Sequence, residues 1–156
     1  MDNNYKDYYN NKLEEAKEYQ DIVTEELYKH GIVLIGYSSR KYQYKRGENI
    51  LGAEIKYQAK YKEYKNLAIE TEEKSHPNNP NYVSSGIYRN DNSWLFVTGD
   101  KTTLYIFSTK ILRMLDARGK YKRYENRTKT SKGFILPVED AEKYCIRKVD
   151  LGVSNG

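Results

Sequence analysis

An α+β domain, with a mixed or antiparallel sheet and helices packed on it, is what this sequence predicts. Three observations carry the prediction: a helical apolar stripe near the start, a series of short apolar runs separated by turn residues, and the absence of any internal repeat or linker. A chain of 156 residues suffices for one core closed over several strands and helices. Apolar residues make up 38% and charged ones 31%, but 17 Tyr, 3 Phe and 1 Trp add amphipathic bulk that argues for order. A single domain over 11–151 is therefore expected, with flexible ends at 1–10 and 152–156.

From residue 11 to 29, Leu13, Ala16, Gln20, Val23 and Leu27 recur at intervals of three and four, a helix that His30-Gly31 stops. The β-branched run Gly31-Ile-Val-Leu-Ile-Gly36 predicts a short buried strand. Basic, turn-rich 38–48 predicts a hairpin arm. Strands over 50–58 and 66–73 follow, joined by a Lys/Tyr stretch at 59–65 that reads as a loop or one helical turn. Ser75-His-Pro-Asn-Asn-Pro-Asn81 is a loop by composition. Strands at 93–99 and 103–108 flank the hairpin turn Gly99-Asp100-Lys101. Ser108 or Thr109 caps a helix that turns Ile111, Leu112 and Leu115 inward and ends near Gly119. A strand at 133–136, a short helix after Pro137 and a strand within 145–151 complete the chain.

Lys and Arg number 27 against 22 Asp and Glu, a formal charge of +5 that attracts a polyanion at moderate salt. Nucleic acid is the first partner to test, although an A/T-rich genome would spell the same Lys, Asn and Tyr bias. One cysteine, Cys145, excludes an intramolecular disulfide and, with only His30 and His76, cannot complete a zinc site. A cytoplasmic location is expected. No membrane partner is expected either, since the longest apolar run is Ile32 to Ile35. Neither a glycine-rich nucleotide loop nor a Ser/His/Asp or Cys/His set is evident.

Alternation along the strands puts Ala53, Ile55 and Tyr57 on one face and Glu54, Lys56 and Gln58 on the other. By the same rule Leu67 and Ile69 face the core, while Asn66, Ala68, Glu70, Glu72 and Lys74 share the opposite side. Antiparallel pairing of the two strands with 54 beside 70 would set Glu54 against Glu70 with Glu72 close by. Like charges in that position destabilise a sheet unless something compensates. A divalent cation would do so, and so would Lys56 or Lys74 on a solvated, mixed-charge face.

The segments Gly52-Ala-Glu-Ile-Lys-Tyr57, Asn66-Leu-Ala-Ile-Glu70, Ser85-Gly-Ile87, Asn92-Ser-Trp94 and the strand Leu104 to Phe107, taken in that order, resemble a phage and bacterial branch of the PD-(D/E)XK nuclease superfamily. That resemblance implies a restriction-endonuclease-like mixed sheet flanked by helices. It implies a metal-dependent nuclease that hydrolyses DNA phosphodiester bonds, with Glu54, Glu70 and Glu72 as ligands of Mg2+ or Mn2+ and Lys56 or Lys74 orienting water or stabilising transition-state charge. Glu26 is the candidate extra acid from the helix, with Glu15 as substitute. Gln58 stands where relatives often carry an acid, and Glu72 where they usually carry lysine.

DNA, double-stranded or branched, is the implied partner, and a homodimer would allow two strands to be cut. Arg40, Lys41, Lys45 and Arg46 form one candidate phosphate-binding arm, and Lys120, Lys122, Arg123, Arg127 and Lys129 the other. Tyr42, Tyr44, Tyr121 and Tyr124 are interleaved for stacking. Ser84-Ser85-Gly86 could offer backbone N–H groups to a phosphate, and Trp94 reads as a core residue. Two alternatives stand beside the nuclease: a nucleic-acid-binding module of the same fold whose catalytic site has decayed, and a phage accessory protein that binds another protein through its tyrosine-rich surface.

Overall fold

The computed structural model describes residues 3–36 and 39–152, with the side chains of residues 3–5, 40, 42 and 44 outside that description. The fold is α+β and contains two four-stranded sheets. Helix α1 spans Asn3–Lys29 and begins well before the predicted residue 11. Nothing between 3 and 10 is a glycine or proline that would break it. Its stripe buries Tyr19, Val23 and Leu27. The predicted ends at 1–2 and 153–156 lie outside the described residues.

Two local expectations fail. The run 31–36 is not a buried strand: Ile32, Val33 and Ile35 are exposed, Leu34 alone packs on the α1 core, and the run's strand-like contacts are a bridge from Gly36 to Asn49 and the Ile50 N–H donating to the Ile35 carbonyl. Without a continuous partner its β-branched residues form no ladder. Residues 40–46 form helix α2 (Arg40–Arg46) rather than a hairpin arm. Seven residues free of glycine, proline and β-branching favour the helix, and Gly47 at φ +100° ends it.

The first sheet has the order β1-β4-β5-β8. Strand β1 (Ala53–Tyr57) runs parallel to β4 (Leu95–Gly99), and β4, β5 (Thr103–Ser108) and β8 (Arg147–Asp150) are antiparallel. The second, wholly antiparallel, has the order β3-β2-β7-β6, from β2 (Asn66–Glu73), β3 (Val83–Ser84), β6 (Arg123–Glu125) and β7 (Ser131–Pro137). Helix α3 (Tyr61–Tyr64) links β1 to β2, α4 (Thr109–Ala117) follows β5, and α5 (Val138–Tyr144) follows β7.

Each face of the first sheet covers a different core. Ala53, Ile55, Val97, Leu104 and Val149 meet the α1 stripe on one side. On the other, Phe96, Tyr105 and Phe107 meet Leu67, Ile69, Phe134 and Leu136 of the second sheet together with Leu112 and Leu115 of α4. Glu54 pairs in register with Phe96 and so turns toward the second sheet. No helix among the described residues is long and apolar enough to cross a membrane.

The expected β1–β2 ladder does not form: β1 is an edge strand paired only with β4, and β2 belongs to the other sheet. The chain just past β1 still touches β2. Gln58, whose own N–H continues the β4 pairing to the Gly99 carbonyl at 2.7 Å, reaches across with its side-chain amide. Its Nε2 donates to the Ala68 carbonyl at 3.0 Å and its Oε1 accepts from the Ala68 N–H at 2.7 Å. One side chain thus replaces a backbone rung between the sheets.

Candidate functional site

The chain enters β1 through a rigid turn. Asn49, 4% exposed, accepts from the N–H groups of Gly52 and Ala53 and donates to the Ala53 carbonyl. Gly52 has φ +82°, and a Cβ there would meet the Asn92 carbonyl oxygen at 2.3 Å and the Trp94 ring at 2.7 Å. Trp94 is therefore not core: it lies over this turn, 54% exposed, with its indole N–H donating to the Leu51 carbonyl. This turn fixes where Glu54 and Lys56 emerge.

Glu54 and Glu70 come together, though by a different route from strand pairing. The Lys56 ammonium stands between them, 3.1 Å from Glu54 Oε1 and 3.3 Å from Glu70 Oε1. Glu54 is 1% exposed, and neither of its oxygens accepts a hydrogen bond of good geometry. Arg89 approaches its other oxygen at 3.9 Å and is itself paired to Asp91 at 2.9 Å. Glu70 is fully engaged: Ser85 Oγ donates to Oε1 at 2.9 Å and Ser131 Oγ to Oε2 at 2.8 Å. Burial raises the Glu70 carboxyl, but Lys56 and the two hydroxyls outweigh it and hold it below the usual carboxylate value. Burial likewise opposes the Lys56 ammonium, yet Glu54, Glu70 and Glu48 keep it well above the usual lysine value.

The Ser-Gly-Ile turn exists to serve Glu70. Ser85 supplies the hydroxyl, and its N–H is committed to the Thr71 carbonyl at 3.0 Å, so it has no donor left for a phosphate. Gly86, at φ +52°, brings the turn against Glu70, where a Cβ would lie 2.2 Å from the Glu70 carbonyl oxygen. Ile87 anchors the turn in the core at 0% exposure.

Glu72 does not join this group. A β-bulge shifts the register between Glu70, opposite Gly133, and Glu72, opposite Lys132. The extra residue, Thr71, is buried and accepts from Arg123. Simple alternation fails at such a bulge, so Glu72 turns to the face where Lys132 lies over the Tyr82 ring, and Glu73 replaces it on the Glu70 side. Glu26 is also elsewhere: Lys29 and His30 engage it within α1 at 3.5 and 3.3 Å, while Glu15 pairs with Lys12 at 2.8 Å.

The acid that sequence reasoning missed is Glu48. Burial and the neighbouring Glu54 push its carboxyl up to about 7, against the pull of Lys56, the Ile55 N–H at 3.4 Å and Arg89. Four carboxylates, Glu48, Glu54, Glu70 and Asp91, thus meet two cations, Lys56 and Arg89. The available signal was Gly47-Glu48-Asn49, an acid flanked by turn residues just before Glu54. Among the described residues no three His, Cys, Asp or Glu side chains close into a metal-binding set.

Lys56 and Glu70 line a cleft of about 660 Å³ whose far wall comes from Tyr8, Tyr9 and Lys12 of α1. The predicted basic arms are only partly available. Lys120 pairs with Asp140 at 3.3 Å and Arg123 with Asp116. Lys122, Arg127 and Lys129 are exposed, as are Lys41, Lys45 and Arg46 on α2, while the Arg40, Tyr42 and Tyr44 side chains fall outside the described residues. Tyr121 stacks on Phe134 at 5.5 Å and donates to Asp140, and Tyr124 packs over Gly133, so these two rings serve the fold. Comparison of the chain with family models, with curated proteins and with solved structures returned no match.

Proposed function

We propose that the protein is a metal-dependent nuclease with a restriction-endonuclease-like arrangement, acting on DNA through the Glu54, Lys56 and Glu70 site. The observation that carries this reading is the buried Glu54 carboxylate, without a hydrogen bond of good geometry, bridged by Lys56 to Glu70, with Lys56 and Glu70 lining an open cleft. With Glu48 ionised, the cluster is two positive charges short, which suits one divalent cation. Glu54 and Glu70 would hold Mg2+ or Mn2+, a number of carboxylates that suffices for Mg2+ beside substrate phosphate. When bound, the ion supplies Lewis acidity toward the phosphoryl group and acidifies water. Lys56 offers a cation to the phosphoryl oxygens, and Glu48 is the group able to exchange a proton near neutral pH.

The second reading rests on Lys56 itself. Its ammonium already bridges both acids and occupies the space between them, as it would in a binding module whose site has decayed. One assay separates the two: linear, circular and branched DNA incubated with Mg2+, Mn2+ or EDTA, beside Glu70→Ala. Metal-dependent cutting that falls by about 10²-fold or more in the variant is expected. Binding without cutting under every metal would select the decayed module.

A further inference from the structure

We propose that the cleft takes an unpaired polynucleotide strand rather than the side of a duplex, with Tyr8 and Tyr9 as stacking residues. The inference rests on the nucleic-acid reading above and names its substrate class. Tyr8 and Tyr9 project from the start of α1, 50% and 54% exposed, and both line the cleft that holds Lys56 and Glu70. Large rings left half in water at the mouth of a charged cleft are what base stacking uses. The other tyrosines near the site are committed elsewhere: Tyr124 over Gly133, and Tyr82 between Lys74 and Lys132 with its hydroxyl on Glu125.

The path continues beyond the cleft. Lys12, one helical turn after Tyr8, lines both the cleft and an adjoining cavity of about 670 Å³ that also carries Lys60, Tyr64 and Lys122. Tyr64 is 59% exposed. Exposed rings and ammonium groups thus line two cavities that share Lys12, itself paired with Glu15: Tyr8, Tyr9 and Lys56 in the cleft, and Tyr64, Lys60 and Lys122 in the adjoining cavity. That is the pattern of a single strand, whose bases stack on rings while its phosphates meet cations. Cavities of this volume fall in the range of small-ligand sites, roughly 300–1,000 Å³, and are large enough to seat splayed nucleotides one at a time.

The test is metal-free, so that it does not depend on cleavage. Fluorescence anisotropy in EDTA would follow a fluorescein-labelled oligo(dT) of about twelve nucleotides, an oligo(rU) of the same length, and a blunt duplex, for the full chain and for Tyr8→Ala, Tyr9→Ala and the corresponding Phe variants. Expected is tighter binding of one or both single strands than of the duplex by about tenfold, a loss of about fivefold or more in each Ala variant, and retention in the Phe variants. The dT and rU arms show which sugar is preferred. Duplex binding as tight as single-strand binding, or Ala variants that bind like wild type, would overturn the inference. Single-strand preference without cutting under any metal would sink the nuclease reading alone, and metal-dependent cutting without that preference would sink this one alone.

Discussion

Glu48 and Glu70 sit in one charge cluster and titrate in opposite directions. Burial and Glu54 raise Glu48 from its ordinary 4.5 to about 7, so the folded chain holds a proton across that window that the unfolded chain has released. Stability falls as the pH rises through it. Glu70 is held below 4.5 by Lys56 and two hydroxyls despite its burial, so its contribution is present above that value and is lost as the pH falls. In EDTA, Glu48→Gln is therefore expected to flatten the loss of stability between about pH 5 and 8 by on the order of 2 kcal/mol. Urea unfolding at the two pH values measures it, and parallel slopes for variant and wild type would count against the assignment. At this scale the sequence was legible for Glu54, Lys56 and Glu70, which strand alternation places on defined faces. It was not legible for Glu48, which sits in a turn, where no period sets direction.

Among the elements, the junction of β1 and β2 decides the site. Alternation held along β1 and along β2 as far as Glu70, with Ala53 and Ile55 in one core and Leu67 and Ile69 in the other. Pairing did not hold, because α3 plants Tyr61 in the core at 3% exposure, edge-on to Tyr105, and carries the chain to the second sheet instead of turning it back. Gln58 then closes the seam. A carboxylate there could still accept from Ala68 N–H but could donate neither to the Ala68 carbonyl nor to Thr98. Gln58→Glu is thus expected to cost about 1–3 kcal/mol in urea unfolding and to speed hydrogen exchange at the Gln58 N–H, which bonds the Gly99 carbonyl beside the same seam. Unchanged exchange would show that the seam holds without the amide. Glu72 teaches the same lesson: one bulge at Thr71 reverses the face that counting by twos assigns.

For the whole molecule, one core joins the sheets. Phe96, Tyr105 and Phe107 from the first and Leu67, Ile69, Phe134 and Leu136 from the second bury one another, so the second sheet has no core apart from the first. Thermal unfolding is expected as a single cooperative transition, in which far-ultraviolet circular dichroism and the fluorescence of the sole tryptophan, Trp94, change together. Separated midpoints would mean that the sheets unfold independently. The net charge of +5 also resolves at this scale. Part of the basic surface is consumed by Asp116, Asp140 and Glu15, the last on Lys12, while Lys60 and Lys122 line one of the two adjoining cavities. The sequence by itself determined the α+β class, most strands and helices, and the candidate acids and lysine, because those follow from local periodicity and turn chemistry. Only the tertiary structure decided that Lys56 bridges Glu54 and Glu70, that Glu72 turns away and Glu48 turns in, and that α1 walls the cleft. Those outcomes depend on which strand edges find partners and where a bulge falls, and both are settled by contacts between residues far apart in the chain.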